Sequence, residues 1–179
     1  MLSAAINDTP SQVSIRPNGE TLGRSTQKMF VRPTSLAQVF LAGFAAEHLL
    51  TGRRPRQYDV EIGMALLAHF DPKLVEIFDG IEFTDGYGAV RQVLRTGVRE
   101  NEAEIRRELQ RLYGIACESL TAVWPAVEAL AGVLLKCEEL DEDAIEEVLG
   151  EFGLSIPVFA VQRAHGLMTT AAAEHRAGS

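Results

Sequence analysis

Cysteine, basic residues and long apolar runs are all scarce in this chain, and each shortage removes a class of protein. Only Cys117 and Cys137 are present, with no C-x-x-C spacing and no nearby histidine pair, so neither a disulfide framework nor a cysteine-held zinc finger is available. Both fall in stretches with helical periodicity and are expected to be buried, reduced thiols. With 17 Lys and Arg against 25 Asp and Glu, the net charge is −8. Such a chain lacks the broad basic face that neutralising phosphates requires, which argues against nucleic acid as a partner. The one basic cluster, Arg53, Arg54 and Arg56 beside Pro55, could hold a single anion, but a solvated loop between helices is the expected reading. The longest strongly apolar stretches, Leu36 to Ala46 and Leu120 to Leu135 with Glu128 inside it, are shorter than the roughly 20 residues that span a bilayer. Met1 to Pro10 has no basic region followed by an apolar run, so a secretory signal is not expected. A cytoplasmic location follows if the chain is complete.

What is present fits one folded domain. The chain has 179 residues, 46% hydrophobic and 23% charged, enough to build one core without disulfides or metal. Val13 and Ile15 alternate with Ser14 and lead to Arg16-Pro17-Asn18-Gly19, a turn signal. With a second short apolar run at Met29–Val31 they suggest a small hairpin or sheet edge. From Thr34 the period becomes helical: Leu36, Val39, Phe40, Gly43, Glu47 and Leu50 follow three- and four-residue steps, with Thr34 or Ser35 as cap and Gly52 as stop. Gly43, Ala45 and Ala46 would let a neighbouring backbone come close. A second helix is expected from about Asp59, as its N-cap, through Val60, Met64 and Leu67 to Phe70, before Asp71-Pro72. A short helical piece, Lys73–Phe78, follows, and the glycines and acids of 79–88 read as a loop. Ile105, Leu109, Leu112, Ala116 and Leu120 mark one face of a long helix, with Glu102 and Arg106 paired on the other. Pro125 suits the first turn of the next helix, through Val127, Leu130, Val133 and Leu134, which the short connection is expected to pack antiparallel to the first. Asp141 caps a final helix, with Leu140 and Ile145 as a hydrophobic staple and Gly150 as its stop. The expected organisation is an N-terminal arm at 1–12, a mainly α domain at 13–150 and a loosely held tail at 151–179.

Taken in order, VSIRPNGETLG (13–23), LAGFAAEHLLTG (41–52) and QYDVEIGMALLAHF (57–70) look like successive segments of the peptidase domain of FtsH-type ATP-dependent zinc proteases. The long helix near Arg99–Leu120 and LLKCEELDEDAIEEVL (134–149) continue the resemblance. It covers roughly residues 13–150, with five short, partly degenerate motifs in the right order. The resemblance implies a helical peptidase-like domain and, in the family, a zinc ion and a ring-shaped assembly.

The departures from that family bear directly on chemistry. Family members carry H-E-x-x-H on a helix roughly twenty residues before the position of Val13, two histidines one turn apart holding zinc and the glutamate activating water. No such motif occurs here, none of His48, His69, His165 and His175 has a histidine four residues away, and no G-x-x-x-x-G-K-[ST] loop is present. Asp59 is the counterpart of the family's third zinc ligand, and also an ordinary helix cap. His48 stands where the family usually has a second acid, and Phe44 where it often has arginine. His69, near a helix end, would be favourable towards the helix dipole. Two histidines and a carboxylate are a known zinc set, so His48, Asp59 and His69 are a candidate metal triplet.

Three functions stay open. The first is a non-catalytic peptidase-like domain, needing no cofactor, that binds itself, a larger protease or another protein. The second is a fragment or divergent member of a working zinc metalloendopeptidase whose H-E-x-x-H segment lies upstream of Met1. The third is a new hydrolase or metal site built on His48, Asp59 and His69.

Overall fold

The structure is a computed structural model that describes residues 12–16, 24–26, 32–78, 80–97 and 101–154. The 17–19 turn, the Met29–Val31 run, His165, His175, and most of the 1–12 arm and of the 151–179 tail lie outside these residues. Within them the fold is mainly α, with a small antiparallel sheet. The elements in order are β1 (Gln12–Ser14), β2 (Arg24–Thr26), α1 (Pro33–Thr51), α2 (Arg56–Phe70), α3 (Lys73–Ile77), a 3-10 turn at Ile81–Phe83, α4 (Asp85–Arg95), α5 (Glu102–Ala122), α6 (Trp124–Cys137), β3 (Glu139–Asp141) and α7 (Glu142–Gly150). No single described helix is long and apolar enough to cross a membrane.

The expected hairpin is present in altered form. β1 pairs with β2 at Arg24–Thr26, and on its other edge with β3, where Val13 lies opposite Leu140. β3 exists because the chain reverses at Glu138, a non-glycine residue in the left-handed region (φ 61°). That conformation costs of order 1 kcal/mol. It is held by bonds on both sides: Glu138 N–H donates to Leu134 C=O at 2.7 Å, and Glu138 C=O accepts from Ile15 N–H at 2.9 Å. Gln12 and Glu139 side chains also bond across the β1–β3 pair.

Pro33 starts α1, with Arg32 before it and no side-chain cap, so Thr34 and Ser35 are already helical. Proline fits this place because the first turn leaves its N–H unused. Gly52 ends the helix as expected, at φ 75° with its N–H on His48 C=O at 2.8 Å. The buried face, however, is Ala37, Leu41, Phe44 and Ala45, while Leu50 and Glu47 face solvent. The helix packs against both α4 and α5, so its buried face combines the small Ala37 and Ala45 with the large Leu41 and Phe44, and Phe40 packs against Gly88 of α4.

Pro55 precedes α2 without a side-chain cap, which places Asp59 inside the first turn rather than at the cap. The inward residues of α2 are Tyr58, Ile62, Ala65 and Leu66, whereas Val60 and Leu67 are exposed. Residues 79–88 are not a loop throughout: α4 begins at Asp85, with the Thr84 hydroxyl accepting from Tyr87 N–H at 3.2 Å. Its glycines serve close packing. A β-carbon on Gly86 would overlap that of Glu61 and stand 2.9 Å from the Glu61 carbonyl carbon; one on Gly88 would meet the Phe40 ring at 2.7 Å.

In α5 all five expected inward residues, from Ile105 to Leu120, are buried, and Arg106 bonds Glu102 at 2.7 Å. The antiparallel α5–α6 pair does not form. The chain turns by 77° at the single residue between the helices, too short a break for α6 to fold back. Two separate cores result. Leu109 belongs to the α1–α2–α4–α5 cluster, and Leu130 to a second one with Leu140, Ile145 and Leu149. Asp141 caps α7 through Ala144 N–H at 3.0 Å, and the Leu140–Ile145 staple is buried. Cys117 is half-buried, but Cys137, on the last turn of α6, is exposed, contrary to expectation.

Candidate functional site

One cluster of polar side chains in the main bundle lies where α1, α2 and α5 adjoin. Tyr113 and Cys117 lie one turn apart on α5 and so share a face, and that face meets His48 on α1. His48 Nδ1 is 3.1 Å from the Tyr113 hydroxyl and 4.0 Å from Cys117 Sγ, with the Tyr113 and His48 rings stacked at 6.0 Å. The Tyr113 hydroxyl also reaches Phe44 C=O at 3.4 Å. Burial pushes the Tyr113 phenol well above its ordinary range and raises the Cys117 thiol. Cys117 is therefore held as a thiol, which is neither a strong nucleophile nor a ready metal ligand.

Tyr113 continues the cluster into α2, its ring 4.8 Å from that of Tyr58, which in turn meets Phe44 edge-on at 5.6 Å. Next to Tyr58, Asp59 Oδ1 pairs with Arg54 Nη2 at 3.0 Å. Arg54 is itself fixed, with Nη1 on Gln110 Oε1 at 3.0 Å and its guanidinium 5.0 Å over the Tyr58 ring. Both partners of the Arg54–Asp59 pair are substantially exposed, so the pair contributes at most about 1 kcal/mol. A cavity of about 210 Å³ opens beside it between α2 and α5, lined by Ile62 and Leu109 as well as by Arg54, Tyr58 and Arg106.

His69 lies in the last turn of α2, exposed, with its ring 4.9 Å from that of Phe70. Ten residues of helix separate it from Asp59, about 15 Å at 1.5 Å per residue, too far for one metal ion. His48 meets Tyr113 and Cys117 instead. Among the described residues no three His, Cys, Asp or Glu side chains converge as metal ligands.

A second titratable group lies at the joint of α2 and α4. Glu61 accepts from Gly86 N–H at 2.8 Å through one carboxylate oxygen and from Gln57 at 2.8 Å through the other. Asp85, the first residue of α4, stands close by, its Oδ2 3.5 Å from where a β-carbon on Gly43 would lie. Part of Asp85 faces solvent. Even so, its burial here, and secondarily the Glu61 charge, push its pKa up to about 6. The folded-state pKa thus lies above the ordinary 3.8, and folding favours the protonated acid. That contribution is complete below about pH 3.8 and is lost as the pH rises through about 6. Asp85→Asn removes it. In melts from pH 7.5 to 4.5, wild type is expected to gain on Asp85→Asn as the pH falls through 6; parallel curves would contradict the assignment.

Tyr58 lies within the 57–70 segment and Arg106 is marked only as the partner of Glu102, neither as a site residue; Tyr113 is hinted at only by its four-residue spacing from Cys117 on an amphipathic helix. No family model matches the chain and no curated protein matches it, so the resemblance to FtsH-type peptidase domains rests on its motifs.

Proposed function

We propose that this chain is a non-catalytic FtsH peptidase-like domain that acts by binding protein, a second copy of itself being the first partner. The observation that carries this reading is the outer face of α2. Val60, Leu67 and Phe70 follow helical spacing on the side away from the core and are 42%, 55% and 51% exposed. Ile77 and Phe83, on the adjoining α3 and 3-10 turn, are also exposed, at 68% and 85%. Apolar side chains exposed together in this way mark interaction surfaces. The positions to which the family resemblance assigns polar chemistry agree with a binding role, since Asp59 is held by Arg54 and His48 by Tyr113. Docking on a larger protease would use the same face. The purified chain is expected to leave casein intact with zinc and ATP present. Chelator-sensitive cleavage that disappears in Asp59→Ala would overturn the non-catalytic reading.

A further inference from the structure

We propose that the cavity between α2 and α5 is a binding site for a small carboxylate with a compact apolar body. Tyr58 carries this inference. The residue is only 5% exposed and lines the cavity, yet among the described residues its hydroxyl has no hydrogen-bond partner. A buried hydroxyl left without a partner is costly, and such groups are normally satisfied by protein, water or ligand. Burial, the largest influence, raises the Tyr58 pKa, and the charges of Arg54 and Arg106 act against it. The phenol is therefore a neutral donor with two guanidiniums within electrostatic reach.

The lining supplies the rest of an oxyanion site. Arg106 uses Nε for Glu102, which leaves its two terminal nitrogens without a partner among the described residues, a planar fork matched to a carboxylate. Each guanidinium also has a carboxylate partner, Arg54 with Asp59 and Arg106 with Glu102, so the ligand's carboxylate is held by directed hydrogen bonds from the Arg106 terminal nitrogens and the Tyr58 hydroxyl rather than by a surplus of charge. Ile62 and Leu109 offer apolar contact to the ligand body. A volume of about 210 Å³ is below the range usual for drug-sized ligands and corresponds to about seven water volumes. A short branched acid, or the last residue of a peptide, has that size. The inference stands apart from the binding role of α2's outer face and does not depend on it.

Calorimetric titration with 4-methylpentanoate, and with a tetrapeptide ending in leucine as free acid or as amide, tests the site. At least one of the two carboxylates is expected to bind saturably with Kd of about 1 mM or tighter, and the peptide amide is expected not to bind. Arg106→Gln should weaken binding roughly tenfold or more, because it removes a charge-assisted bidentate contact. Tyr58→Phe should weaken it by about threefold or more with the ring packing kept. Arg53→Gln should leave it unchanged, and circular dichroism melts verify that each variant is folded. Binding of 4-methylpentanoate identifies a free small acid as a sufficient ligand, and binding of the free-acid peptide alone identifies a chain terminus. Failure of both carboxylates to bind, equal binding of the amide, or unchanged affinity in folded Arg106→Gln or Tyr58→Phe would overturn the proposal.

Discussion

Leu109→Ala is expected to lower the free energy of unfolding by about 2–5 kcal/mol, the range for emptying a fully buried leucine site. Leu109 has no exposed surface and lies in the main cluster with Leu41, Ile62 and Leu112. The loss combines the transfer of the removed atoms to water with the void left in a bundle whose backbone cannot collapse. Leu130→Ala should also destabilise, but through the second cluster, formed with Leu140, Ile145 and Leu149. Because the two sites share no neighbours within a cluster, the double variant should show additive losses within about 0.5 kcal/mol. Denaturant titration of the four proteins checks this. A coupling well above that value would place both leucines in one core, as an antiparallel α5–α6 pair would have done.

Gly86→Ala is expected to cost about 3 kcal/mol, the upper part of the range for overpacking, even though alanine is the better helix former by about 1 kcal/mol. Its β-carbon would collide with the backbone and the β-carbon of Glu61, and neither can rotate away. The only relief is to separate α4 from α2, which would lengthen the Glu61–Gly86 hydrogen bond of 2.8 Å. Gly88→Ala is the matched control. There the obstacle is the ring of half-buried Phe40, a side chain that can turn, so the helix-propensity gain should offset most of the clash and leave a net loss of about 1 kcal/mol or less. Equal losses for the two variants would mean that α4 is not packed backbone-to-backbone on α2.

These two glycines also show where the sequence is hard to read. Three glycines and three acids within 79–88 carry the composition of a loop, and the reason for two of them, close approach to Glu61 and Phe40, lies in residues far away in the chain. α5 was legible because one side of it is buried and the other is wet, so its apolar spacing is the packing pattern itself. α1 was legible in extent but not in orientation, since it touches α4 and α5 at once and its buried residues, Ala37, Leu41, Phe44 and Ala45, do not follow the single stripe that Leu36, Val39, Gly43 and Leu50 suggest. β3 has three residues, too few for a period, and exists through its register with β1. The Asp141 cap and the Gly52 stop are local devices, and both were readable. The site follows the same rule. His48 and Asp59 were marked by family motif positions, but the Tyr113 and Cys117 that meet His48 are 65 and 69 residues away in sequence. Asp59 itself reads as a cap until the start of α2 at Arg56 is known, after which its partner is Arg54.

A binding role for the outer face of α2 has a direct physical consequence, because an exposed apolar stripe should lower its free energy by covering itself. Sedimentation equilibrium of wild type and Leu67→Asp over micromolar concentrations measures this. Leu67 faces solvent, so the substitution should leave helicity and melting behaviour close to wild type. Wild type is expected to form a small closed oligomer, a dimer by the commonest symmetry. The variant is expected to fall to a monomer near 19.6 kDa, since covering the stripe would now bury an unpaired charge. A wild-type mass of 19.6 kDa at every concentration, or an oligomer that Leu67→Asp leaves unchanged, would contradict self-association through α2.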